Sequence, residues 1–360
     1  MKTKIKGNYV VADMDAVPVL YDSGYFGRPR DDGLYLRFVE AAYLLFRGKI
    51  SIVQNNKETD FDSFLEFASA KEDFFELRYL VYKDLKERGY YVQSSATDFR
   101  IYPRGGHPGK TSAKSYLFVR SERMPISFSE LTLRINEAQN VRKQFILAVV
   151  DEESDITYYD VKRADGVNNF EGAMKAPYPP EIDNCKTPMK AVLFKERVIL
   201  NDKAAANLLY NRAFFGKMMD ENRLLLSLPE ALYLAEIGIL ELFDMEEKKL
   251  SKDDFVCKAL EIDSEFWKKF IVYTELKERG FVPKTGFKFG THFRVYSKVE
   301  SLDKIPHSEF LLHAISPDDE FKLPATSGAI RLANSVRKRM IYAADLGNRR
   351  EYIEFERIKM

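Results

Sequence analysis

The sequence predicts an α/β (α+β) fold built by tandem duplication. Each half carries a small N-terminal α/β subdomain and a second compact subdomain around a mixed sheet. The first observation behind this is that the chain repeats itself. "VLYDSGYFGR" (Val19 to Arg28) returns as "LLYNRAFFGK" (Leu208 to Lys217), 189 residues later, and "EAAYLL" at Glu40 returns as "EALYLA" at Glu230. "LVYKDLKERGY" matches "IVYTELKERGF" at an offset of 191, "DFRIY" matches "HFRVY" at 194, and "NVRKQ" matches "SVRKR" at 195. Five blocks in one order with a slowly growing offset describe a duplicated unit with small insertions. The second observation is that helical and strand periods alternate within each copy. The third is length: 360 residues exceed one average domain and suit two to four compact units.

The elements follow in order. "NYVVADMDAVPVLY" reads as a strand-like opening that runs to a glycine turn at Gly24 and Gly27. A helix follows over Val39 to Arg47, closed by Gly48. The next helix spans Glu72 to Arg88, with Phe74, Leu77, Leu80, Val81 and Leu85 at helical spacing and Gly89 at the C-terminal cap. "FRIYP" and "SYLFVRS" read as strands, "SELTLRINEAQNVRKQ" as a helix, and "FILAVVDEESDITYYDVK" as a hairpin around Asp151 to Asp155. The second copy repeats the plan, with its helix at Ser264 to Arg279 and strands at "HFRVY" and "EFLLHAI". Residues 166–188, rich in Pro, Gly and Asn with no apolar period, read as the linker. The expected division is therefore 1–68 and 69–165, the linker 166–188, then 189–262 and 263–360.

Composition narrows the class. Lys+Arg is 56 against Asp+Glu 55, a net charge of +1, which argues against a surface coated in basic charge but allows local basic grooves. Two cysteines, Cys185 and Cys257, indicate neither a disulfide framework nor a cysteine zinc site. The absence of a signal-like or membrane-spanning apolar run fits a soluble protein of a reducing cytoplasm.

The copies differ where chemistry would sit. Tyr102 and Tyr296 both survive, as do Lys143 and Lys338. His307 stands eleven residues after Tyr296, whereas eleven residues after Tyr102 stands Ala113. The second copy also has "KTGFKFG" where the first has lost the lysines, glycines and phenylalanines. Its glycines permit close backbone approach to a ligand, and interleaved Lys and Phe suit phosphate contact and base stacking. His107 lies near Ala113 but six residues short of it, inside a Gly/Pro loop, and His292 and His313 have no partner pattern and read as structural.

"LKERGF", "KTGFKFGTHFRVY", "HSEFLLHAI" and "RLANSVRKRM" together closely resemble the archaeal tRNA-splicing endonucleases, and "GYFGRP" and "EAAYLL" resemble the N-terminal subdomain of the same proteins. The resemblance covers essentially both halves. It implies a restriction-endonuclease-like mixed-sheet nuclease subdomain in each half, degenerate in the first and catalytic in the second. It also implies catalytic roles for Tyr296, His307 and Lys338. Arg331 and Arg357 resemble the family's arginine pair that clamps a flipped bulge base, and Lys284 and Lys288 are expected to face RNA. The implied reaction is intron removal from precursor tRNA at bulge–helix–bulge sites, leaving a 2′,3′-cyclic phosphate and a 5′-hydroxyl.

That chemistry is sound on its own terms. A 2′-hydroxyl can attack the neighbouring phosphorus if a base takes its proton, an acid protonates the 5′-oxygen, and positive charge meets the phosphoryl oxygens. Histidine suits the acid, with an unperturbed pKa of about 6.5, and lysine supplies charge. Tyrosine needs nearby cations to act as a base. No carboxylate pair with metal-ligand spacing accompanies the motif, so no metal or other cofactor is expected. The partners expected are RNA and a second copy of the chain, not a membrane or DNA. Two alternatives stand beside this reading: a divalent-metal nuclease of restriction-enzyme type, and a non-catalytic RNA-binding or structural subunit.

Assembly is the last expectation. Asp151, Glu152, Glu153 and Asp155 crowd one hairpin tip, which is unfavourable unless something positive meets them. The family resemblance implies that such an acidic loop docks in a basic groove of a catalytic unit. The expected assembly is a homodimer with the loop inserted into the partner's catalytic half.

Overall fold

The computed structural model describes residues 1–54, 57–95, 97–168, 188–297, 299, 306–347 and 349–360. The chain forms two compact units. The first comprises Met1–Lys162, Glu320–Ser327 and Phe355–Met360; the second comprises Arg163–Asp319 and Gly328–Glu354. Both are mixed α/β and follow one plan, so the protein is a tandem duplication. Among the described residues, no helix is long and apolar enough to cross a membrane. Of the expected linker, residues 169–187 lie outside the described residues, while Asp165–Asn168 form a short helix.

In the first unit, Lys2–Lys6 pairs antiparallel with Tyr9–Ala12 and parallel with Ser51–Gln54. The helix Phe38–Phe46 buries most of its residues against this sheet. Strands Val92–Ser95, Asp98–Ile101, Ser115–Ser121, Gln144–Val150 and Ile156–Arg163 then run side by side, the third and fourth in parallel. The second unit repeats both arrangements. Met189–Leu193 pairs antiparallel with Val198–Asn201 and parallel with Leu240–Phe243. Val282–Thr285, Phe293–Tyr296 and Phe310–Ile315 pair antiparallel in turn, and Phe310–Ile315 lies parallel to Arg339–Asp345.

Three devices recur in both copies and explain why the repeated motifs persist. The "LKERG" helices end in matching caps: Gly89 and Gly280 take φ of 84° and 87°, and the next residue's N–H reaches back to Leu85 and to Leu276. The Glu of "EAAYLL" and "EALYLA" is buried and accepts the N–H of Gly27 and Gly216, respectively. A side chain at Gly27 or Gly216 would strike the carbonyl oxygen of Tyr35 or Leu225 at 2.8 or 2.4 Å. Finally, the buried phenols Tyr158 and Tyr352 donate to Asp84 and Glu275 at 2.7 and 2.9 Å.

Three local expectations are corrected. "VPVLY" is helical rather than extended: Val17–Tyr21 forms a π-helical turn, with Pro18 in the first turn where a missing N–H costs nothing. Its counterpart, Lys203–Asn211, is an α-helix capped by Asp202. The helix expected from Glu72 begins at Phe75, because Phe74 at φ 54° cannot continue it. The helix expected to reach Gln144 ends at Asn140, since Arg142 turns left-handed at φ 55° and Gln144 opens a strand.

Candidate active site

Tyr296, His307 and Lys338 all lie in the second unit, at one end of its second sheet. Tyr296 is the last residue of the strand Phe293–Tyr296. His307 leads into Phe310–Ile315 and Lys338 into Arg339–Asp345. Three hydrogen bonds tie these ends together. Glu309 N–H donates to the Val295 carbonyl at 3.0 Å, Arg339 N–H donates to the Glu309 carbonyl at 3.3 Å, and Lys338 Nζ donates to the Ser308 carbonyl at 2.7 Å. The lysine is thus fastened to the residue next to the histidine.

Local geometry presents each group differently. Tyr296 is 6% exposed, and its hydroxyl has no hydrogen-bond partner among the described residues. His307 is exposed. Lys338 is half-buried and follows the helix Leu323–Ser335 after a left-handed turn at Arg337, φ 54°, with Lys338 N–H bonded back to Ala333. Burial, and then the positive charge of Arg294, pull the Lys338 ammonium below the usual lysine range. Arg294 also stands with its guanidinium carbon 5.8 Å from the Tyr296 ring centroid.

The first copy holds its counterparts shut. Tyr102 donates to Gln93 Oε1 at 2.7 Å, and Lys143 Nζ donates to Ser112 Oγ at 3.1 Å. The strand registers pair Ser115 with Gln144 and Phe310 with Arg339. Counting back three residues sets Ser112, not Ala113, against His307; the connection before the strand is one residue longer in the second copy. Either way, no imidazole stands there. His107 instead stacks on Tyr25, with ring centroids 4.3 Å apart.

The RNA-facing candidates divide. Lys288 is exposed in the short 3₁₀ turn Phe287–Phe289, beside Phe287, which is 86% exposed. Arg331 is exposed on the helix Leu323–Ser335. Arg357 is exposed in the terminal strand Arg350–Ile358. Lys284 is committed inside the fold: its Nζ donates to the Gly216 carbonyl at 3.1 Å and to Glu230 at 3.2 Å. Burial opposes ionisation of Glu230, but Lys284 and the N–H groups of Ser227 and Gly216 outweigh it and hold the carboxyl low. Beside it, burial pulls the ammonium of Lys277 down to about 7.

A cleft of about 640 Å³ opens next to this pair, lined among others by Arg197, Lys217, Lys284, Phe287 and His292. The corresponding place in the first unit shrinks to about 40 Å³. There Arg30 packs on the rings of Tyr9 and Tyr35, and Arg37 packs on Tyr9. At the back of the open cleft, His292 stacks on His313 with centroids 3.8 Å apart. His292 Nδ1 accepts the Ala314 N–H at 3.1 Å, so its Nε2 carries the proton and donates to Glu265 at 3.2 Å. This is a structural role, as the lack of a partner pattern implied.

The acidic hairpin tip is exposed but not uniformly free. The Asp151 carboxylate accepts the N–H groups of Glu153 and Asp155, which shapes the turn. Glu152 pairs with Arg123. Glu153 and Asp155 have no ion-pair partner among the described residues.

A twice-built α/β chain with one open Tyr–His–Lys set belongs, on this geometry, with duplicated proteins in which one copy keeps the polar machinery. Comparison with known proteins makes the class specific. The catalytic C-terminal domain of tRNA intron endonucleases matches residues 75–158 and again 266–352. The N-terminal domain of the same family matches 1–65 and 189–256. A tRNA-splicing endonuclease of Methanosarcina mazei is 53% identical over 360 residues, covering 100% of this chain and 99% of that one. Those of Methanococcoides burtonii and Haloarcula marismortui are 49% and 32% identical, with at least 99% of each chain covered. The chain belongs to the tRNA intron endonuclease family and is an endonuclease.

Proposed function

We propose that the chain removes introns from precursor tRNA at bulge–helix–bulge sites, using the second unit's Tyr296, His307 and Lys338 without a metal. The observation that carries this is the fastening of the three motif ends at one end of the sheet, with the tyrosine hydroxyl unengaged among the described residues. Tyr296, as phenolate, takes the proton of the 2′-hydroxyl. The 2′-oxygen–phosphorus bond forms as the phosphorus–5′-oxygen bond breaks, and His307 gives its proton to the departing 5′-oxygen. Lys338 faces the phosphoryl oxygens, where charge accumulates. The products are a 2′,3′-cyclic phosphate and a 5′-hydroxyl.

RNA is held by Lys288 with Phe287 beside it, and by Arg331, whose guanidinium plane suits stacking on an extruded base; Arg357, which belongs to the first unit, is a separate candidate contact. Lys284, with its charge already met by Glu230, contributes to the basic wall of the cleft rather than to a phosphate clamp.

An intron needs two cuts and each chain has one open site, so the working form is a homodimer. Residues 151–155 of one chain enter the second-unit cleft of its partner. Glu153 and Asp155 supply the unpaired negative charge, and the 640 Å³ cleft supplies the room that the first unit lacks. Reversing Glu153 and Asp155 to lysine leaves the Asp151 turn intact. It should abolish dimers in sedimentation and stop cleavage together. A fully active monomer at assay concentration would overturn the assembly.

A further inference from the structure

We propose that Arg294 is a further catalytic residue, a second cation that binds the phosphoryl oxygens of the scissile phosphate beside Lys338. The inference rests on the site reading above and extends it. Strand alternation puts Arg294 and Tyr296 on one face. The guanidinium carbon stands 5.8 Å from the Tyr296 ring centroid, and its charge reaches Lys338. Among the described residues, Arg294 Nε is buried without a hydrogen-bond partner, and neither Arg294 nor Lys338 is ion-paired to a carboxylate. Glu309, the acid just before the adjoining strand, is engaged by Ser297 Oγ. Two neighbouring cations without a counter-ion form a site for an anion. The guanidinium fork matches two oxygens of one phosphate.

The neighbours of Arg294 explain why it stays open. The residue opposite it on one side is Lys284, a like charge in direct register. Like charges so placed repel, and Lys284 is drawn off to Glu230 instead. The residue opposite on the other side is Leu311, which offers no partner. The first copy keeps the arginine but uses it otherwise. Arg100 lies opposite Tyr116 and covers that ring at 5.5 Å. Gln93 lies on its other side and takes the Tyr102 hydroxyl. Retaining the arginine is therefore not the distinguishing feature; its surroundings are.

In the reaction Arg294 neither gains nor loses a proton. It donates N–H groups to the non-bridging oxygens as the 2′-oxygen–phosphorus bond forms and the 5′-oxygen leaves. The test is single-turnover cleavage of a bulge–helix–bulge RNA by the full-length protein, with RNA affinity measured in parallel. Arg294→Ala should slow cleavage about 100-fold, the scale of losing one donor to developing charge. Added guanidinium ion should restore part of the rate. Arg294→Lys should fall between the two, and Arg100→Ala should cleave like the wild type. Sedimentation confirms that each variant assembles, and the lysine variant carries the test if the alanine variant does not fold. Wild-type rates for both Arg294 variants, or a slow Arg294→Ala whose loss lies wholly in RNA affinity and is not rescued, would overturn the proposal. Tyr296→Phe and Lys338→Ala separate the two levels. If they too cleave normally, the site reading itself falls; if they are inactive, only the role of Arg294 does.

Discussion

Lys284→Gln imports the first copy's residue, Gln93, into the second copy, and its consequences can be worked from both. In the second unit Lys284 holds Glu230 at 3.2 Å, and the pair is largely shielded from water. Glutamine removes the two charge-assisted hydrogen bonds of the ammonium, to Glu230 and to the Gly216 carbonyl, a loss of about 1.5–3 kcal/mol for each that the amide does not replace. The cost stays below that of stranding a buried charge because Glu230 keeps the N–H groups of Gly216 and Ser227 and the Ser227 hydroxyl. Glu40 shows that the position survives without such a lysine opposite: burial raises its carboxyl, and two backbone N–H groups still hold it.

The second consequence reaches the site. Gln93 accepts the Tyr102 hydroxyl at 2.7 Å, and a glutamine at 284 is placed to do the same to Tyr296. A phenol donating to an amide oxygen is held in its protonated form. A hydrogen bond worth about 0.5–1.5 kcal/mol corresponds to roughly a 2- to 13-fold loss of cleavage rate. Urea unfolding and single-turnover cleavage above saturating RNA measure the two effects separately. A destabilised variant that cleaves at the wild-type rate would refute the link between residue 284 and Tyr296. Unchanged stability would refute the worth assigned to the pair.

His307→Ala should slow cleavage by at least about 100-fold with RNA affinity nearly unchanged, because a general acid acts in the transition state; binding and single-turnover assays separate the two. Lys143→Ala should cleave within a factor of two of wild type, and a loss equal to that of Lys338→Ala would reassign the first unit as catalytic. Burial lowers His292 and His313 below the ordinary histidine value, so the folded state stays neutral while the unfolded state takes up protons below about pH 6.5. Stability should therefore fall as pH drops through that value, by up to about 1.4 kcal/mol per pH unit per histidine. His292→Asn, which keeps an acceptor for Ala314 N–H, should flatten the fall in urea unfolding measured from pH 7 to 5.

The repeat was the most legible feature of the fold, because three of its five blocks serve packing devices that both copies need: the glycine cap after "LKERG", the buried glutamate on a glycine N–H, and the carboxylate that takes a tyrosine hydroxyl. "VPVLY" was misread because its apolar run fits a strand as well as a helix, and only tertiary packing decides between them. At the site, the Tyr–His–Lys order was visible because losing a single imidazole distinguishes the copies. Sequence could not show that Lys284 is spent on Glu230, since the two lie 54 residues apart. Nor could it show that Ser112 rather than Ala113 is the counterpart of His307, since one extra residue in a connecting segment shifts the register. Arg294 was missed for a different reason. Both copies keep it, and what differs is its opposite neighbours: Leu311 against Tyr116 on one side, Lys284 against Gln93 on the other.

The account turns on whether one Tyr–His–Lys set cuts RNA with no metal. Incubating the full-length protein with a bulge–helix–bulge RNA in EDTA, and mapping both ends of each cut, tests this most directly. The account predicts undiminished cleavage at two sites, each leaving a 2′,3′-cyclic phosphate and a 5′-hydroxyl. Cleavage that stops in EDTA and returns with magnesium, or ends carrying a 3′-hydroxyl and a 5′-phosphate, would contradict it.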